Sequence, residues 1–160
     1  MIFKTTRIFL IAFLLISFFS CTSEQTESES TEQIELTSNG LEITEAWARP
    51  GREGGVSAIY MNILNGSSES DTLISLSSPV AGMVEVHETY EQGEGMMGMR
   101  SAGTVVVPAR ENLSLEPGGL HAMLMQLNRE LVEGDSLEYT VEFRKAGEMT
   151  LTVPVQPMNR

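Results

Sequence analysis

The 160-residue chain is predicted to be all-β over most of its length, an antiparallel β-sandwich or small barrel of about eight to nine strands. Apolar residues run in short alternating stretches, and turn-forming residues interrupt them roughly every ten positions. No stretch carries the 3.6-residue period of a long amphipathic helix.

The strands expected in order are Leu41 to Ala48, Val56 to Asn65, Asp71 to Ser77, Met83 to Thr89, Thr104 to Val107, Asn112 to Leu115, His121 to Leu127, Ser136 to Phe143 and Met149 to Val155. Between them lie Arg49-Pro50-Gly51, Asn65-Gly66, Pro108-Ala109, Glu116-Pro117-Gly118-Gly119, Glu133-Gly134-Asp135 and Ala146-Gly147, residues that fix φ or permit it to be positive. Leu137, Tyr139, Val141 and Phe143 alternate with Glu138, Thr140 and Glu142, so one face of that strand is core and the other is wet. Trp47 and Tyr60 are assigned to the core. No internal repeat is present.

The N-terminus reads as an export signal. Lys4 and Arg7 precede a nearly unbroken apolar run from Ile8 to Phe19. Twelve residues make roughly 18 Å of helix, too short for the ~30 Å hydrocarbon core. Residues 1–20 are therefore expected to be removed. Cys21 follows, and Ser20-Cys21 with a polar tail resembles the lipobox of bacterial lipoproteins, with Phe18 where Leu is usual. That resemblance implies lipidation at Cys21 and a membrane anchor facing the periplasmic side. As the sole cysteine, it rules out an internal disulfide.

Residues 21–40 carry five glutamates, many Ser and Thr, and no aromatic, which suits a flexible acidic tether. Residues 41–157 then form one domain, large enough for a single core. The net charge is −12, with 10 basic and 22 acidic residues; loss of Lys4 and Arg7 makes it −14. Such a balance disfavours nucleic acid as a partner.

The chemistry concentrates in His87, Met99, His121 and Met123. The chain has only two histidines, and both fall in this set. Thioether sulfur and neutral imidazole together suit cuprous copper. Strand periodicity puts His121, Met123 and Met125 on one face, and Glu85 and His87 on the corresponding face of their own strand. Met99 lies beyond Glu91-Gln92-Gly93-Glu94-Gly95, read as a polar flexible loop that folds it over both histidines. A thioether cannot oxidise to a disulfide, an advantage outside the cytoplasm, and it has no proton to lose. Only the histidines must be neutral, so cuprous binding should weaken as pH drops below about 6.5. Met96 and Met97 are secondary metal candidates. Glu85 is read first as a solvated carboxylate and, in the alternative, as a group that orients the His87 imidazole; Met125 is expected to pack beneath the ion.

The same residues resemble the periplasmic copper chaperones of the PCuAC type. Their signature is His, an often-Met position, ten residues, Met, twenty-one residues, then His-x-Met. His87-Glu88, Met99 and His121-Ala122-Met123 reproduce that spacing. Ala46-Trp47-Ala48-Arg49-Pro50, Ala58-Ile59-Tyr60-Met61, Asp71-Thr72-Leu73, Ser77-Ser78-Pro79-Val80-Ala81 and Pro117-Gly118-Gly119 are similar as well. The resemblance implies a cupredoxin-like, immunoglobulin-like β-sandwich. It also implies one Cu(I) ion held by His87, Met99, His121 and Met123, and delivery to respiratory oxidase copper centres. Recipients would be cytochrome c oxidase subunit II or another copper chaperone. Glu88 departs from the pattern; its hard carboxylate suits Cu(II) or zinc better than Cu(I), or simply faces water.

Other functions fit less well. A blue-copper carrier needs a cysteine that the domain lacks, and a copper-zinc dismutase needs more than two histidines. No Gly-x-Ser-x-Gly supports a hydrolase, and zinc hydrolysis through Glu85, His87, Glu88 and His121 leaves the methionines without a role. The expectation is a non-enzymatic protein. The alternative from another class is a lipid-anchored β-sandwich module that binds protein or glycan without a metal.

Overall fold

The computed structural model describes residues 36–158. Residues 1–20, Cys21 and the tether up to residue 35 lie outside the described residues. Eleven strands occur among the described residues: β1 Leu36–Ser38, β2 Leu41–Ala48, β3 Val56–Asn65, β4 Asp71–Ser77, β5 Ala81–Gly93, β6 Met96–Ser101, β7 Val105–Val107, β8 Asn112–Leu115, β9 Leu120–Leu127, β10 Ser136–Phe143 and β11 Gly147–Pro154. They form two antiparallel sheets. One runs β1-β2-β3-β9-β5-β6, with β8 also paired to β3; the other runs β11-β10-β4-β7.

The alternating pattern explains the sandwich. Ile43, Ile59, Ile63 and Leu124 of the larger sheet and Tyr139, Val141, Phe143 and Val153 of the smaller belong to one buried cluster. Each of these strands contributes every second residue to it, as a sheet with one covered face requires. Two polar side chains tie the rim. Asn65 is fully buried, and its amide donates to the carbonyls of Glu69 and Val107 while its oxygen accepts from Ser67. Asp71 accepts backbone N–H bonds from Thr72, Lys145 and Ala146.

Three expectations are corrected. The tether does not extend to residue 40, because Leu36–Ser38 pairs with β2. Its hairpin turns on Asn39 and Gly40, with φ of +46° and +83°, the two-residue turn whose twist matches paired strands. The segment before Met99 is not a loop. β5 continues to Gly93, turns on Glu94 and Gly95 with φ of +53° and +76°, and returns as β6.

Trp47 is the third correction, since it lies on the face of the larger sheet opposite the buried cluster; Tyr60 is buried, 6 % exposed, but on that same outer face. Strict alternation from Leu41 and Ile43 would turn Trp47 inward. Instead the register with β3 shifts between Thr44 and Trp47, where Glu45 takes φ +53°. The extra residue of this β-bulge reverses the facing. Ala46 and Ala48 then enter the core, and Trp47 pairs with Tyr60, ring centroids 4.6 Å apart.

Candidate metal centre

The candidate donors gather on the outer face of the larger sheet, where β3, β9, β5 and β6 run side by side. Antiparallel partners share a face, so the register builds the site row by row. His87 of β5 is opposite His121 of β9, and Glu85 is opposite Met123. Met123 is also opposite Ala58 of β3, and Thr89 of β5 is opposite Met99 of β6. The two imidazole centroids are 6.2 Å apart, and the Tyr60 ring lies 6.5 Å from His121 on the other side.

A cavity of about 320 Å³ opens on this face. Met99, His121 and Met123 line it together with Tyr60, the Pro117-Gly118 turn and Met158. His87 adjoins the cavity through its contact with His121 but is not among its lining residues. Met99 is 61 % exposed, whereas His121 is 5 % exposed. One donor therefore sits at the mouth and another at the floor.

Local chemistry fixes the orientation of both histidines. Glu116-Pro117-Gly118-Gly119 forms a turn closed by the Gly119 N–H on the Glu116 carbonyl at 3.1 Å. Pro sets φ at its second position, and Gly118 supplies the +83° needed at the third. The turn presents the Gly119 carbonyl to two donors, the Thr89 N–H at 3.2 Å and His121 Nδ1 at 3.1 Å. With its proton held on Nδ1, His121 offers the Nε2 lone pair to a metal. Glu85 reaches His87 Nε2 at 3.2 Å, with its carboxylate still partly open to solvent.

The remaining candidates separate from this group. Glu88 lies on the opposite face of the β5–β6 hairpin, where the Arg100 guanidinium donates to it at 2.6 Å and stacks over the Tyr90 ring. It does not face the donors, and its carboxylate meets the solvent as half of an exposed ion pair. A zinc set of Glu85, His87, Glu88 and His121 is thereby broken up. Among the described residues, no group of three or more His, Cys, Asp or Glu is placed to hold a metal.

Met96 and Met97 lie at the hairpin tip, 58 % and 61 % exposed, away from the cavity lining. Met125 does not pack beneath the site. It is absent from the cavity lining and lies farther along the same face, between Val56, which does line the cavity, and Met83. Cys21 lies outside the described residues.

Two contributors were missed by sequence reasoning. Tyr60 walls the cavity, and burial raises its phenol above the ordinary value while the Arg49 charge acts in the opposite sense. It therefore stays protonated. Met158 reaches the cavity from the C-terminal segment, and the Tyr60 hydroxyl contacts its sulfur at 4.0 Å. No periodicity signals Met158, because it lies beyond the last strand.

This architecture is that of a PCuAC domain. The copper-bound PCuAC domain from PmoF2 superposes with a TM-score of 0.65 at 24 % identity, covering 78 % of this chain and 98 % of that one. The solution structure of CuI-DR1885 from Deinococcus radiodurans gives 0.57 at 22 % identity, covering 84 % and 87 %. The "Putative lipoprotein Lxx21020" of Leifsonia xyli subsp. xyli is 26 % identical over 156 residues, 96 % of this chain and 92 % of that protein. Residues 41–155 match the family model "Putative lipoprotein LpqE-like", and the chain belongs to the LpqE-like family.

Proposed function

We propose that the protein is an extracytoplasmic metallochaperone that carries one cuprous ion on the outer face of its larger sheet. The observation that carries this reading is the convergence of Met99, His121 and Met123 on one cavity, with His87 against His121. Two sulfurs and two imidazoles are soft, uncharged donors matched to Cu(I), and none is the thiolate that would hold the ion most firmly. Moderate affinity suits a carrier that must release its cargo. Cu(II) is a second form that the imidazoles can accept. The copper-bound state of the PmoF2 domain and the Cu(I) form of DR1885, which share the fold, support the reading.

The recipient is a copper-accepting protein, cytochrome c oxidase subunit II or another copper chaperone. The protein works from the membrane surface, held by a lipid on Cys21; its similarity to a protein named as a lipoprotein supports that placement.

Cuprous titration against a chromophoric chelator tests the binding step. Wild type should compete, while Met99→Leu and His121→Ala should each lose about tenfold or more in affinity, a cost of about 1.4 kcal/mol or more. Equal and poor competition by all three would leave a sandwich module without a metal role. Cells lacking the protein should lose copper-dependent oxidase activity that added copper restores; an unchanged activity would remove the proposed recipient.

A further inference from the structure

Copper held by the expected donors would sit at a cavity whose remaining wall is mostly sheet, Val56, Ser57, Ala58 and Tyr60 of β3 and Thr89 of β5, but which is closed on one side by residues outside the strands. These include Met158, two residues past the last backbone tie of the C-terminal segment, the Gln156 N–H on the Ala48 carbonyl. Met158 is 49 % exposed, so only half of its surface is buried where it meets the cavity. Its one polar contact is sulfur to the Tyr60 hydroxyl at 4.0 Å, at the long end for such a bond and easily exchanged. Tyr60 is itself a neighbour of His121, with ring centroids 6.5 Å apart. Met158 is therefore parked beside the cavity rather than packed into the fold.

We propose that Met158 is a further thioether donor, which leaves Tyr60 and closes over the cuprous ion when the site is loaded. This rests on the copper-carrying reading above. The chemistry favours it: sulfur is the class of donor that Cu(I) prefers, and a flexible, unbranched side chain on a tethered segment delivers it at high local concentration. The consequence is a site that reads its own occupancy through the C-terminal segment. When loaded, the segment is pinned; when empty, it rests on the phenol.

The experiment compares the full-length wild type with Met158→Leu, which preserves apolar bulk at an exposed position and so should fold normally, and with Met83→Leu as a control at an exposed methionine outside the cavity lining. Cuprous affinity by chelator competition and the number of sulfur neighbours by X-ray absorption are measured on each. The proposal expects Met158→Leu to bind about tenfold more weakly and to show one sulfur fewer, while Met83→Leu matches wild type. Wild-type affinity and an unchanged sulfur count in Met158→Leu would overturn it, and so would an equal loss in Met83→Leu. Failure of wild type to bind Cu(I) at all would instead overturn the carrier reading on which it stands.

Discussion

At the scale of single residues, Asp71 shows how a buried charge is retained. Burial raises its carboxyl, but N–H bonds from Thr72, Ala146 and Lys145 and the nearby Lys145 charge outweigh that effect and leave it below the ordinary value. Its folded value lies below its unfolded one, so its contribution is complete above the unfolded value of about 3.9 and is lost as pH falls through the folded value. Asp71→Asn puts an amide group where three N–H donors converge and should cost about 3 kcal/mol at pH 7. Thermal melts of the two proteins should converge as pH drops below about 4; a gap that stays constant would show that the charge is not what matters.

At the scale of elements, hairpins deliver the site. β5 and β6 carry Met99 back to Thr89, and the Pro117-Gly118 turn sets the carbonyl that orients His121. The hairpin of β1 and β2 depends on Gly40 at φ +83°. Gly40→Ala should cost about 1 kcal/mol and loosen β1 first, read as faster amide exchange at Leu36–Ser38 than in β3. Uniform exchange across both strands would place β1 in the same cooperative unit as the core.

Most of these elements could be read from alternation alone. β2, β3, β4, β8 and β10 end where the pattern ends. The hairpin of β6 was hidden because Met97, Met99 and Gly98 show no contrast between a wet and a dry face. β1 was hidden by its acidic neighbours, although Asn39-Gly40 is the strongest short hairpin signal in the chain. Trp47 was misplaced because a bulge at Glu45 adds one residue, and periodicity cannot register an insertion. The donor spacing was visible along the chain; the cavity, Tyr60 and Met158 required the strands to be set side by side.

For the whole molecule, the division between core and site governs stability. None of His87, Met99, His121 or Met123 belongs to the buried apolar cluster between the sheets. The protein should therefore melt cooperatively in excess cuprous chelator, and copper at about a hundredfold over its dissociation constant should add about 2.7 kcal/mol. A chelated protein without a cooperative transition would tie folding to the ion.

The siting of the candidate donors on the outer face has a kinetic side. Because none of them belongs to the cluster between the sheets, an ion bound there would enter and leave without any breathing of the sandwich. Ligand exchange at the proposed site would then be limited by the donors alone, and the barrier to unfolding is left to the buried cluster between the sheets.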